Sequence, residues 1–213
     1  MNNKLFQGHI LNIIIPLFLV FNILTARPGK TYLNKISSHY LELIPFALRF
    51  SVKTMDEQEN ILSRATGDFI INSKNSFRVN YPEEEILYDG QWLWSYNQVT
   101  EQVVVEPFDP TSSLNLIYDV INGKLGAYQI IKDRLDEKHH HIFLKPEDKN
   151  NFFTEIKIIA YRDTSLIDLL KYVDFQKNQI LIDFLRIKDT VICDSAFYNI
   201  KDLKGKEIID LRP

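Results

Sequence analysis

This sequence of 213 residues predicts a mainly β (α+β) fold, an antiparallel meander of about eleven or twelve strands with two helices. Three observations lead there. Short runs of alternating apolar and polar residues recur along the chain, separated by brief turn-forming stretches. Helical spacing replaces that alternation only at "TYLNKISSHYLELIP" and "DPTSSLNLIYDVINGKLG" once the N-terminal segment is passed. Aromatic residues make up 12% of the chain against one Cys and two Met, a balance that favours strands. The 45% hydrophobic and 25% charged content is that of one globular core. A net charge of -3 supplies no basic footprint, so nucleic acid is not an expected partner.

The N-terminal segment stands apart. Lys4 precedes an apolar run from Ile10 to Leu24, and Thr25-Ala26 lead into Arg27-Pro28-Gly29-Lys30. Pro16 and Asn22 interrupt a run already short for a membrane span, so residues 1–26 read as a secretory signal peptide and 27–213 as a single domain. An uncleaved anchor is the alternative, because Leu24 and Ala26 match an A-x-A cleavage site poorly. The segment has no Cys, which excludes acylation there. Cys193, the only cysteine, sits in an alternating stretch and reads as a buried thiol, so no disulfide supports the fold.

The elements follow in order. Leu33, Ile36, Tyr40 and Leu43 line one face of a first helix that Pro45 ends. "ALRFSVK", "ILSRATGDFIINSK", "SFRVNYP", "EEEILY", "QWLWSYN" and "EQVVVEPF" are strands, with Asp89-Gly90 suiting a type I′ hairpin turn. A second helix is predicted from Pro110 to Asn122, with Asp109 as N-cap and Gly123 as the stop. Its Leu114, Ile117, Tyr118 and Ile121 form an apolar stripe that must lie on something apolar. Strands resume as "AYQIIKDRL", "HHHIFLKPE", "FFTEIKIIAYR", "LIDLLKYVDF", "QILIDFLRIK" and "VICDSAFYNI". A sheet this long must curl or close, and two short helices leave room on its inner face for a ligand.

Catalytic signatures are missing: the chain has no G-x-S-x-G, H-E-x-x-H, G-x-x-x-x-G-K or G-x-G-x-x-G, and it is not expected to be an enzyme. His139 and His141 would share a strand face at a spacing a metal could use, but the charged run "DEKHHHIF" fits a solvated strand entrance, and no metal or cofactor is expected. Glu83, Glu84 and Glu85 read as a solvated turn and edge, with docking of a basic partner as the alternative. Core packing is the default reading of Trp92, Trp94 and Tyr96, with ligand contact as the alternative: because they alternate with Leu93, their strand needs cover from two directions, and helices on one side and a greasy ligand on the other would supply it.

"GDFIINSKNSFRVNYP" followed by "ILYDGQWLWSYNQVTEQVVVEPFD" resembles the periplasmic outer-membrane lipoprotein carrier family, the LolA-like proteins. Gly67, Phe77, Arg78, Tyr81, Asp89, Gly90, Trp94, Tyr96, Gln102 and Val103 stand at the places of the family pattern. "IFLKPEDKNNFFTEIKI" and "FYNIKDLKGKEIID" resemble its later segments. Val79 replaces the Trp usual after F-R, Ser76 the Pro before it, and Leu203-Lys204-Gly205 a Pro-x-Gly.

The resemblance implies an incomplete antiparallel barrel whose open mouth is covered by helices. It implies a periplasmic carrier that takes acylated lipoproteins from an inner-membrane ABC-type release complex to an outer-membrane receptor, and we expect it to act as a monomer. Cavity residues are then expected at Phe50, Phe69, Phe77, Trp92, Trp94 and Tyr96. Leu114, Ile117, Tyr118 and Ile121 would belong to the lid, and Arg78 is expected to latch it by bonding its carbonyls, with an outward strand arginine in a surface ion pair as the alternative. The alternative within the same fold is a periplasmic lipid- or lipoprotein-sensing interaction protein.

Overall fold

The computed structural model describes residues 28–109, 112–148, 151–188 and 205–213. The expected signal peptide, Pro110, Cys193 and the strand "VICDSAFYNI" lie outside the described residues. Helix α1 (Pro28–Leu43) leads into β1 (Phe46–Met55), β2 (Ile61–Ser73), β3 (Ser76–Asn80), β4 (Glu84–Tyr88), β5 (Trp92–Asn97) and β6 (Gln102–Pro107). Helix α2 (Ser113–Ile121) follows, then β7 (Tyr128–Leu135), β8 (His139–Pro146), β9 (Phe153–Tyr161), β10 (Ile167–Asp174), β11 (Gln179–Lys188) and β12 (Glu207–Asp210).

Among the described residues twelve strands join one open sheet in the order β12-β6-β5-β4-β3-β2-β1-β11-β10-β9-β8-β7. Two local meanders, β1–β6 and β7–β11, meet where β1 pairs with β11. Among the described residues the sheet does not close, because β12 and β7 stand at opposite edges. One pairing departs from the antiparallel expectation: β12 runs parallel to β6, with Ile208 beside Val103 and Ile209 beside Val104.

Alternation decides which side chains enter the core. Phe46, Leu48 and Phe50 of β1, Phe69 and Ile71 of β2, and Phe77 and Val79 of β3 are fully buried on one face, under both helices. α1 buries Ile36 and Tyr40 there, and the Tyr40 hydroxyl accepts a hydrogen bond from the Ile167 backbone N–H at 3.0 Å, tying the helix to β10. Gly67 is required by close approach: a Cβ there would meet the Asn80 carbonyl at 2.9 Å and the Tyr81 ring at 3.1 Å.

The β4–β5 turn differs from the type I′ expectation. Only Gly90 takes a positive φ (102°), which suits a turn with glycine at the first central position. The Asp89 side chain fixes it, with Oδ1 accepting from the Gln91 and Trp92 N–H groups and Oδ2 from the Trp94 indole. Burial opposes ionisation of Asp89, but these bonds outweigh it and hold its pKa low.

Candidate functional site: the floor and cleft beneath the second helix

α2 is shorter at its start than the sequence suggests. Ser112, in extended conformation, is the N-cap, and its side chain accepts from the Asn115 N–H at 3.1 Å. Asp109 instead offers its backbone carbonyl to the Ser112 N–H at 3.2 Å. The helix stops as expected at Gly123, whose φ is 68°. Its N–H reaches the Val120 carbonyl at 3.3 Å and the Lys124 N–H reaches the Asp119 carbonyl at 2.8 Å, the paired closing bonds of a Schellman end. A Cβ on Gly123 would also meet the Ser37 hydroxyl of α1 at 2.9 Å, so this residue lets the two helices touch.

The helix lays Leu116, Ile117, Val120 and Ile121, each at most 2% exposed, against the inner face. Beneath it is a continuous aromatic floor. Phe69 stacks on Phe77 at 4.8 Å between centroids, and Phe77 meets Tyr88, Phe108 and Tyr118 at 5.4 Å each. Phe50 extends the floor through Phe69 and Tyr81. Of the expected cavity and lid residues, the structure therefore brings together Phe50, Phe69, Phe77, Leu114, Ile117, Tyr118 and Ile121.

Hydroxyl bonds tie this helix to the sheet. Tyr118 donates to the Lys74 carbonyl in the β2–β3 turn, and Ser113 shares a hydrogen bond with the Tyr172 hydroxyl on β10. Burial pushes the Tyr118 and Tyr172 hydroxyls up to about 12, so both stay protonated through the physiological range. These ties run from α2 to both meanders.

At the N-terminal end of α2 a cleft of about 870 Å³ opens to solvent. Ala65, Tyr81, Ile86 and Leu114 give it an apolar wall, while Arg64, Glu83, Glu84 and Asn97 stand among its polar lining. Burial raises the Glu84 carboxyl above its usual range. Glu85, read from the sequence as a solvated edge residue, is 6% exposed, because alternation turns it to the sheet's other face.

That outer face holds the remaining expected cavity residues. Trp92, Trp94 and Tyr96 pack with Leu87, Val103 and Val105 in a separate cluster, so they do not line the space under α2. Their cover includes cations from the C-terminal segment: the Lys206 ammonium lies 3.6 Å from the Tyr96 ring centre, and the Arg212 guanidinium 5.8 Å from each tryptophan.

Arg78 alternates with Phe77 and Val79 and so shares the outer face, 3.3 Å from Glu85 in a nearly buried ion pair. The expected latch is thus on the wrong side of the sheet to hold α2, and the tie from the helix ends on the backbone of Lys74 instead. Sequence reasoning missed Tyr88, Phe108 and Tyr172. Tyr88 could have been found by extending the inward alternation of Phe77 and Val79 into β4, where it pairs with Phe77. Tyr172 required the pairing of distant strands.

Among the described residues, no helix is long and apolar enough to cross a membrane. The chain is 23% identical over 207 residues to an outer-membrane lipoprotein carrier protein of Halorhodospira halophila, an alignment that covers 94% of each chain. A protein of the same description from Alkalilimnicola ehrlichii is 37% identical over 73 residues, covering 33% of this chain and 34% of that one. The fold is similar to that of an uncharacterized conserved protein from Thermus thermophilus, with a TM-score of 0.57 at 9% identity over 86% of this chain and 99% of that one. The sequence matches the family described as outer membrane lipoprotein carrier protein LolA over residues 44–201, more than half of its length, and this chain belongs to that family.

Proposed function

We propose that this chain is a periplasmic carrier that receives the acyl chains of lipoproteins between α2 and the aromatic floor and moves them from the inner to the outer membrane. The observation that carries the reading is the way α2 is held: an apolar underside on an apolar floor, with hydroxyl ties at its margins. Non-directional contacts of this kind can be exchanged for contacts with hydrocarbon when the helix lifts. Family membership supports the carrier class.

Physical chemistry supplies the need. At about 0.8 kcal/mol per CH₂, one long acyl chain left in water costs on the order of 10 kcal/mol. The cleft of about 870 Å³ lies within the usual range of about 300–1,000 Å³ for ligand sites, and it marks where a chain would first wedge beside Leu114. In this reading an inner-membrane ABC-type release complex loads the carrier and an outer-membrane receptor unloads it.

The test is mass spectrometry of the protein purified natively from its own envelope fraction, read for the mature N-terminus and for bound acylated species. One N-acyl-cysteine lipoprotein per chain is the expected result. Phospholipid alone, or an empty protein held by a signalling partner, would overturn the carrier reading.

A further inference from the structure

Far along the sheet from β6, the β7–β8 hairpin gathers a set of side chains that carriage of lipid does not use. Asp136 occupies the turn, His139 and His141 the first alternate positions of β8, and Asp168 the start of β10. The Asp136 carboxylate is aimed by its own backbone: Oδ1 accepts from the Lys138 N–H at 2.9 Å and the His139 N–H at 2.7 Å. Oδ2 is thereby turned along the strand to the His141 Nε2, 2.6 Å away. Arg162 holds the turn from outside by donating to the Asp136 carbonyl at 2.9 Å.

We propose that Asp136, His139 and His141, completed by Asp168, form a binding site for a divalent transition metal of the zinc type. One ligand atom from each of the first three already lies within 4.8 Å of the others. Metal–ligand bonds of about 2.0–2.2 Å place the corners of a tetrahedron about 3.4 Å apart, so small side-chain rotations close the set. Asp168 lies outside that 4.8 Å set, but its Oδ2 is 3.5 Å from His139 Nε2, and a side-chain rotation would bring it to the fourth corner. The Tyr161 hydroxyl donates to the other oxygen of Asp168 at 2.8 Å and orients it, as an outer-shell partner of a metal ligand does.

The donor chemistry agrees. Two neutral imidazoles with two carboxylates balance a doubly charged ion, and imidazole with carboxylate suits zinc over calcium or magnesium. His141 has a side chain 9% exposed, yet its Nδ1 is buried with no hydrogen-bond partner, and the His139 Nε2 is likewise buried and without one. Buried ring nitrogens ordinarily find partners, and the His139 Nε2, which faces Asp168, would find one in the metal. The site would join the β7–β8 turn, β8 and β10, a cross-tie at the edge of the sheet that β12 does not cover. His140 takes no part, because it faces the other way, its ring 4.3 Å from that of Tyr32 on α1.

Equilibrium dialysis of the full chain, purified without a histidine tag, against Zn(II), with metal analysis and a parallel Co(II) titration followed by visible absorption, tests the site. One zinc per chain and tetrahedral cobalt bands are expected, with Mg(II) and Ca(II) failing to compete. His139→Asn should weaken zinc binding at least tenfold, Asp168→Asn by about tenfold, and His140→Asn not at all. His139 is partly exposed, so that variant is expected to fold even if His141→Asn does not, and circular dichroism checks both. Substoichiometric zinc in the wild-type chain, or equal binding in folded His139→Asn, would overturn the proposal. Neither result bears on the bound lipid that tests the carrier reading.

Discussion

The two faces of the β1–β6 meander are both aromatic, and they are held in opposite ways. On the inner face Phe69, Phe77 and Tyr88 meet a helix through ring and methyl contacts, with hydroxyl ties at its margins. On the outer face Trp94 donates to Asp89, Arg78 pairs with Glu85, and Lys206 and Arg212 sit over the rings. Directional bonds fix the outer partners to this sheet, whereas apolar contact accepts any body of similar shape. Under the proposed function, exchange of partners would belong to the inner face and rigidity to the outer one.

The sharpest test of that division pairs neighbours on one strand. Arg78→Leu leaves the Glu85 carboxylate buried beside an apolar group and should cost about 3–5 kcal/mol in urea unfolding, with α2 amide exchange following only the global loss. Phe77→Ala opens a cavity in the floor and should cost about 3–5 kcal/mol as well, but here α2 amides should exchange faster than the rest of the sheet. If Arg78→Leu frees α2 selectively, the two faces are not separate.

A smaller and more local effect is expected at the tie. Tyr118→Phe removes the bond to the Lys74 carbonyl and should loosen α2 by about 1–2 kcal/mol, read by hydrogen exchange of the helix against an unchanged β1–β11 pair.

The smallest effect concerns pH. Burial raises the Asp119 carboxyl above its usual 3.8, against the pull of Lys124 and the Asn115 side chain. The folded state then binds this proton more tightly than the unfolded chain does, so its contribution is full below 3.8 and is lost as pH rises through the raised value. Asp119→Asn should remove that slope, with a gain of a few tenths of a kcal/mol at neutral pH after allowance for solvent screening, about the resolution of urea midpoints across a pH series. A steeper slope in the variant would show that another group of the inner face titrates there.

Much of this was legible in the sequence because period-two alternation and turn chemistry are local. β1–β6 and β7–β11 were found run by run, and the inward set Phe50, Phe69 and Phe77 follows from alternation alone. The face assigned to Trp92, Trp94 and Tyr96 was not legible, because both sides of β5 carry apolar residues and only pairing with β4 shows which side α2 covers. Arg78 was misplaced for a related reason: its latch role came from resemblance, while its parity with Phe77 sets it outward. The His139–His141 pairing on one face was visible, but Asp136 and Asp168 reach it through a turn and a neighbouring strand, and sequence spacing carries neither.

The seam between β1 and β11 has a consequence for how the chain assembles. Each meander can zip up hairpin by hairpin from contacts close in sequence, but Ser51 and Asp183, bonded across the seam, are 132 residues apart. Joining them requires both halves to find one another after most local pairing is complete, and the closure entropy, which grows only slowly with loop length, must be met before the seam contacts repay it. The slow step of folding should therefore be the meeting of two preformed half-sheets, and the aromatic floor and its helix, tied to Tyr172 of the later half, become a finished enclosure only when that meeting has occurred.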